Sequence, residues 1–565
     1  MSYVEGDRPW YGHYPPEVPR SLDYPDRPIC QLLTDAARDF PNDAATIFYN
    51  KKMTFAEIHR EARRLAHGLQ RLGVKPGDRV ALMLPNIPQA VAAYYGVHYL
   101  GGVVVWVNPL YMPQELVHQL SDSGAETIIA LDLLYPRIMP TWDKTPLKRA
   151  LFTSVKDRLP FPLSFLYPFT QKLPKIQYTD KVLRYDAVVQ GVSPEDAMAR
   201  LPGEDKGAKD LALLQYTGGT TGVAKGAMLT HGNLMSNVVQ AQAWLYKIPR
   251  GAGTVLAALP FFHVYGLTTV LHFAVAHGHA MVLLPRPEGK AMLEAITRYK
   301  TRLFPGTPTM YVAVLQMKDL DKYDLRGVEA CISGSAPLPL EVQEQFEKVT
   351  GGRMVEGYGL TEASPVTHSN PIWGERRNGT IGLPWPDTDA KIVDPEGDQE
   401  LPAGEVGELL VKGPQVMKGY WNRPDETEQV LKDGWLRTGD LGRMDEDGYF
   451  QIVDRKKDVI IASGYNIYPR EVEEVLYAMP EVAEAAVVGA PDPYRGETVR
   501  AYIVLKEGAT LTAEEVEKRC REELAAYKIP RQIIFREELP KSAVGKILRR
   551  VLADEAKQEA AAKTK

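Results

Sequence analysis

The stretch YTGGTTGVAKGAMLTH, Tyr216 to His231, sets Thr217, Thr220 and Thr221 among Gly218, Gly219 and Gly222, with Lys225 close behind. Glycines let a backbone turn several N–H groups towards one point, hydroxyls add donors and a lysine adds charge; phosphate is the ligand that uses all three. The spacing differs from a Walker A loop, because Lys225 stands three residues after Gly222 and is followed by Gly226. Taken alone, the stretch also reads as a flexible Gly/Thr hairpin. It has companions. EGYGLTEAS, Glu356 to Ser364, gathers a ring that can stack on a base (Tyr358), a hydroxyl for phosphate (Thr361) and a hard oxygen ligand for Mg²⁺ (Glu362). GWLRTGD ends on Asp440, an acceptor suited to ribose hydroxyls, and PKSAVGKILRR sets Lys546 after a turn near the C-terminus. Each has a plain counterpart: a packed tyrosine, a turn aspartate, a solvated basic stretch. In this order, the four together point to a nucleoside triphosphate.

Such loops need rigid elements behind them. LALLQYT reads as a strand running into the first loop, and AMVLLP as a strand following a helix that ends near Gly278. Thr54 and Glu57 form a capping box, and Ile58, Ala62, Leu65, Ala66, Leu69 and Leu72 follow at helical spacing until Gly73. Val80 to Val107 is apolar enough to raise the question of a membrane span, but Pro85, Asn86, Pro88 and Gln89 interrupt it. Strand VALMLP, helix PQAVAAYYGVHYLG and strand VVVWV instead make a buried βαβ unit. This alternation predicts an α/β protein of layered βαβ subdomains with mostly parallel sheets. From about Ala390, AKIVD, GELLVKG and GYFQIVD alternate with turn residues, as in a small antiparallel, barrel-like β unit. The charged cluster DRKKD, Asp454 to Asp458, marks a boundary between a large N-terminal domain, 1–453, and a small mobile α+β C-terminal domain, 454–565. There Pro469 opens a helix, VAEAAVVGA and VRAYIVL are strands, and Thr512 with Glu515 caps a second helix.

The 565 residues are 44% hydrophobic and 25% charged, enough for more than one core. Sixty-seven basic residues against 72 acidic ones leave a net charge of -5 without a long basic run, so nucleic acid is not an expected partner. Cys30, Cys331 and Cys520 lie far apart, and MSYVEGDRPWYGHYPP lacks the basic start and apolar centre of a signal peptide. A reducing, cytoplasmic setting is expected. No GxSxG elbow occurs, which removes the easiest route to a serine hydrolase. His272, His277 and His279 stand without a neighbouring carboxylate or cysteine and read as a helix end, not as a metal site.

In these motifs the chain resembles the adenylate-forming superfamily of acyl-CoA synthetases, luciferases and peptide-synthetase adenylation domains, from TFAEIHREARRLAHGL to KSAVGKILRR. LPFFHVYGL, GWLRTGDLGRMDEDGYFQIVDRKKD and SGYNIYPREVE look most similar to bacterial long-chain fatty-acid CoA ligases. The resemblance implies ATP, Mg²⁺ and coenzyme A, with a carboxylate first activated as acyl-AMP and then passed to the CoA thiol. It implies that Tyr216, Thr217, Gly218, Gly219, Thr220, Thr221, Gly222 and Lys225 form the phosphate loop, and that Thr361 donates to the α-phosphate. Glu362 with Thr220 would hold Mg²⁺. Tyr358, flanked by Glu356 and Gly357, would stack on adenine, and Asp440, with Arg455 nearby, would bind ribose. Lys546 would bridge the α-phosphate and the incoming carboxylate. Asp454 sits at the hinge of a domain rotation and Gly464 at the pantetheine tunnel. LPFFHVYGL and FPGTPTMY would line the acyl pocket, with Gly334 between acyl group and nucleotide and His263 as a catalytic candidate or a satisfied core histidine.

Several alternatives stand beside this. The acid is a long-chain fatty acid on the resemblance, with a medium-chain, aryl or amino acid as competitors; no carrier domain follows and no acidic partner for an α-amine is evident. A regulatory or scaffold protein that keeps the nucleotide loop without turnover is the other class, and the intact Glu362 and Lys546 argue against it. LPFPLSFLYPFTQKLPK, Leu159 to Lys175, reads either as a peripheral membrane contact or as a buried crossover between sheets. Homo-oligomerisation stays open.

Overall fold

The computed structural model describes residues 6–563 apart from 218–223, 252, 463–464 and 544. Among the described residues, a seven-stranded sheet runs in the order Val182–Arg184, Arg149–Thr153, Thr127–Leu131, Arg79–Met83, Val103–Trp106, Leu211–Thr217, Lys225–Thr230. Its neighbours are parallel except the last pair, which is antiparallel and holds the glycine-threonine loop between its strands. The expected βαβ unit is present as Arg79–Met83, the helix Pro88–Leu100 and Val103–Trp106, and every residue of that helix is buried. A helix covered on all sides has no polar face, which is why its sequence mimics a membrane span. Part of the cover is the helix Phe55–Arg71, which opens on the expected Thr54–Glu57 capping box. Gly96 lets the two approach, since a Cβ there would lie 2.9 Å from the Ala62 carbonyl oxygen.

A second sheet (Thr254–Ala257, Ala280–Leu283, Ala44–Phe48, Lys51–Thr54) and a third (Ala330–Ser333, Arg353–Gly359, Val366–Ser369, Leu383–Pro384) are joined through Leu303, which bridges Val255 on one side and Ala330 on the other. The antiparallel unit is five-stranded, with Asp389–Val393, Gly407–Lys412, Trp435–Met444, Leu431–Lys432 and Phe450–Arg455. The chain leaves this unit at Arg455 and enters another sheet at Ile460–Ala462 through the short turn Lys456–Asp458. That last sheet adds Tyr465–Ile467, Gly496–Leu505, Val482–Asp492 and Gln532–Phe535, and has its own core around Val472, Leu476, Val487 and Val516. The helices Pro469–Tyr477, Ala513–Glu523 and Arg549–Lys563 pack with it.

Of the two readings left open for 159–175, one is excluded. The segment 159–175 is not a buried crossover: it forms the helix Leu163–Thr170, in which no residue is buried. The three histidines have protein partners, His272 with the Tyr94 hydroxyl at 2.7 Å, His279 with the Pro249 carbonyl at 2.8 Å, and His277 stacked on Phe273. Cys30, Cys331 and Cys520 are free and buried.

Candidate active site

Thr217 and Lys225 pair in register where the two loop strands open. Gly218, Gly219, Thr220, Thr221, Gly222 and, elsewhere, Gly464 lie outside the described residues. Lys225 pairs with Glu426 and stands 5.3 Å over the Tyr420 ring. Tyr216 is buried and donates its hydroxyl to Asp122 Oδ2 at 2.6 Å, while its ring fills the space a Cβ on Gly226 would need. Asp122 also receives Arg423 at 3.2 Å. Tyr216 therefore braces the base of the loop.

The strand Arg353–Gly359 delivers Glu356, Gly357 and Tyr358 and continues into the turn Thr361–Ala363. A Cβ on Gly359 would overlap the Pro365 carbonyl oxygen, so only glycine permits this fold-back. The Glu362 carbonyl accepts from the Met417 N–H at 2.7 Å, and its Oε1 accepts from the Tyr420 hydroxyl at 2.7 Å. Tyr420 thus meets both Glu362 and the loop lysine. Tyr358 donates to Asp440 Oδ2 at 2.6 Å, and Arg455 Nε stands 3.0 Å from Asp440 Oδ1. Asp440 and Arg455 are opposite residues of adjacent antiparallel strands, which explains how a residue fifteen positions along the chain reaches this carboxylate.

Glu356 is buried, and the nearest cation, Arg470 of the C-terminal part, is 3.9 Å away. Burial pushes its pKa up to about 7, against the pull of Arg470. A carboxyl with a raised folded pKa binds its proton more tightly in the folded state, so stability declines as pH rises from the unfolded value to about 7. Glu356→Gln is expected to melt higher than the parent at pH 8, on the order of 2–3 kcal/mol more stable, and to show no advantage at pH 4. Calorimetry at both pH values checks this; equal melting at pH 8 refutes it.

Lys546 brings the two ends of the chain together. It follows Gly545, whose φ of 78° and missing Cβ let the turn lie against the Thr309 hydroxyl. The turn is closed by the Ser542 N–H donating to the Lys546 carbonyl at 2.8 Å and by the Lys546 N–H donating to Ser542 Oγ at 3.2 Å. Lys546 as a residue is exposed to solvent. The protein packed around its ammonium nevertheless pushes the pKa down to about 8, with Arg455 adding to the effect and Asp440 opposing it. His263 is pushed down to about 4 by burial and by Lys546, so it is neutral at pH 7. Its Nδ1 accepts from the Tyr265 N–H at 3.2 Å and caps the helix that follows.

Asp454 is buried just beyond. It accepts the N–H groups of Arg455 at 2.7 Å and Arg470 at 2.8 Å, with Arg549 at 3.9 Å. Burial raises its pKa to about 6, with Arg549 resisting.

The helix capped by His263 winds as a π-helix over Leu267–His272, a form that concentrates at functional sites. It borders a cavity of about 20 Å³ with almost wholly apolar walls, among them Ala241, Thr269, Phe273, Ala330, Ile332 and Trp385. Tyr265 packs against Gly334: its ring lies where a Cβ on Gly334 would come to 3.1 Å, and its hydroxyl donates to the Ile332 carbonyl at 2.6 Å. Buried Asn86 fixes the segment before it, donating to the Ala257 and Leu259 carbonyls and accepting from the Phe261 N–H.

Sequence reading overlooked Asn86, Tyr420, Glu426, Arg470 and Arg549. Asn86 registered only as a break in an apolar run, and Arg549 stood within a basic stretch already read through Lys546; the others carry no local signal.

The AMP-binding enzyme model matches residues 33–421, and the AMP-binding enzyme C-terminal domain model matches residues 471–546. A long-chain-fatty-acid--CoA ligase of Bacillus subtilis (strain 168) is 51% identical over 98% of this chain and 99% of its own length. Among solved structures, the anthranilate CoA ligase AuaEII in complex with anthranoyl-AMP superposes with a TM-score of 0.84 at 28% identity, covering 96% of this chain and 99% of that one. ATP-bound MatB from Rhodopseudomonas palustris gives 0.80 at 31% identity, covering 94% and 99%. With both parts of the chain matched in order and the lysine turn of the second seated beside the carboxylates of the first, the protein belongs to the AMP-binding enzyme family.

Proposed function

We infer that this chain converts a long-chain fatty acid into its CoA thioester with ATP, releasing AMP and pyrophosphate. In the first step a carboxylate oxygen attacks the α-phosphorus, the bond to the β-phosphate oxygen breaks, and pyrophosphate leaves. In the second, the CoA sulfur attacks the acyl carbon, AMP leaves with the bonding pair, and the thiol proton passes to solvent. The observation that carries this reading is the seating of the Lys546 turn, through Gly545, against Thr309, within electrostatic reach of Arg455, Asp440 and His263, which puts a cation from the far end of the chain beside the candidate nucleotide site.

In this reading the ammonium of Lys546 stabilises the negative charge that builds on the α-phosphoryl oxygens, as preorganised donors do elsewhere. Thr361 donates to the same oxygens, and Lys225 with Thr217 and the loop 218–222 receives the outer phosphates. Glu362 offers a hard carboxylate oxygen, oriented by Tyr420, and with Thr220 is the residue assigned to Mg²⁺, which when bound neutralises phosphate charge. Asp440 takes the ribose and Tyr358 the base; Asp440 now receives both the tyrosine hydroxyl and Arg455. His263, being neutral, contributes shape and a helix cap rather than charge. The second step needs the thiol where Lys546 stands, so 454–565 rotates against 1–453 about Asp454, bringing Gly464 to the pantetheine. Peripheral contact with a bilayer belongs to the same reading, because the substrate partitions there.

The cavity supports an alkyl chain over an amino acid: its walls are almost wholly apolar and hold no carboxylate to pair with an ammonium. At about 20 Å³ it is far smaller than an acyl chain, so its walls must move apart to admit one. Ala330→Leu fills it. Each excluded methylene is worth about 0.8 kcal/mol, so loss of room for two lowers kcat/KM for hexadecanoate relative to octanoate by about 15-fold. An unchanged ratio would mean that the chain lies elsewhere. Acid-dependent pyrophosphate exchange across fatty, aryl and amino acids tests the whole reading, with long-chain acids expected to be fastest; no exchange with any fatty acid overturns it.

A further inference from the structure

The helix Leu163–Thr170 is a wedge of apolar side chains facing water. Phe161 is 84% exposed, Phe165 65% and Phe169 78%, with Leu163 and Leu166 beside them, five large apolar side chains within nine residues. The wedge is nonetheless fastened, because half-buried Tyr167 packs against the main core. Burying such rings in protein would be the ordinary outcome, and leaving them together in solvent marks an interaction site.

The surroundings say what covers it. From Leu159 to Thr179 the sequence has no Asp or Glu, although the chain as a whole carries 72 acidic residues and a net charge of -5. Lys172 and Lys175 are both exposed on the segment that follows the helix, and Arg184 lies over the Tyr178 ring at 4.5 Å. Aromatic side chains rimmed by lysines match an anionic bilayer surface, where rings enter the headgroup boundary and long cationic side chains reach back to the phosphates. A second copy of the chain fits less well: an eight-residue helix is about 12 Å long, and a stable dimer needs about 800 Å² from each partner.

We propose that Phe161, Phe165 and Phe169, with Lys172 and Lys175, dock this protein on anionic lipid bilayers. The proposal rests on the fatty-acid reading for its purpose but not for its test. Flotation of the full chain with vesicles of phosphatidylcholine and phosphatidylglycerol (7:3) is expected to carry most of the protein, and pure phosphatidylcholine vesicles much less. The triple variant Phe161→Ser, Phe165→Ser, Phe169→Ser is expected to lose at least tenfold in partition coefficient. Lys172→Glu with Lys175→Glu is expected to lose the preference for phosphatidylglycerol, and salt should mimic it.

Octanoate-dependent pyrophosphate release, measured without vesicles, should be unchanged in both variants, which separates failure of docking from failure of the ligase reading or of folding. Parent protein that stays off anionic vesicles, or a serine variant that floats like the parent, overturns the proposal. So does a parent dimer that the serine variant converts to monomer with flotation unaffected, which would assign the wedge to a second copy.

Discussion

Replacing Lys546 by alanine is expected to cut acyl-AMP formation by a factor of 100 to 1,000 while leaving thioester formation from supplied acyl-AMP within a few-fold of the parent. The magnitude is that of removing one preorganised charge-stabilising group, on the order of 3–4 kcal/mol in the barrier. The selectivity follows from geometry. The turn that carries Lys546 is seated against Thr309 and beside Arg455 and Asp440 in the conformation described, and the domain rotation proposed for the thiol step would take it away. Pyrophosphate release and single-turnover thioester formation, measured separately, decide the matter; equal loss in both would show that Lys546 serves the fold or both steps alike.

The same residue predicts a pH dependence. The ammonium is the useful form, and crowding together with Arg455 brings its pKa down to about 8. Adenylation is therefore expected to fall as pH rises through about 8, losing roughly tenfold per unit above it, while the thioester step lacks this limb. Lys546→Arg keeps the charge over the whole range, so its residual adenylation should no longer show the fall.

Asp454→Pro is expected to slow the thioester step by roughly 100-fold and to change pyrophosphate release by less than about fivefold. Asp454 ties two peptide N–H groups, those of Arg455 and Arg470, at the point where the chain crosses from one sheet to the next. Proline locks φ near −65° and deletes both acceptors, so the crossing loses its freedom to turn. The seat of Lys546 is made by other residues and survives in this arrangement. Rapid-quench kinetics of the two steps test it: if pyrophosphate release suffers more than the thioester step, the hinge lies elsewhere.

Much of the architecture was legible because local patterns were strong. The Thr54–Glu57 and Thr512–Glu515 capping boxes appear as read, as do the βαβ unit disguised as a membrane span and the run of short strands after Ala390. Capping and periodicity are short-range effects, settled by residues three or four apart. The four motifs stood out in the sequence for a related reason, since each gathers its chemical groups within a short stretch of chain.

The relations between those turns were not legible. Nothing near Tyr420 in sequence says that its hydroxyl meets Glu362 while its ring meets Lys225, and nothing near Glu356 says that Arg470 approaches it across the domain crossing. The segment 159–175 could be read in two ways from composition, because apolar side chains look alike in a core and on a membrane-facing wedge; only the packing of neighbouring strands and helices leaves it outside. By itself, then, the sequence determined which groups are available and which family chemistry they serve. The tertiary structure decided which of them share one field, that of Lys546, Arg455 and Asp440, because electrostatic interaction and burial depend on distances through space that no local pattern encodes.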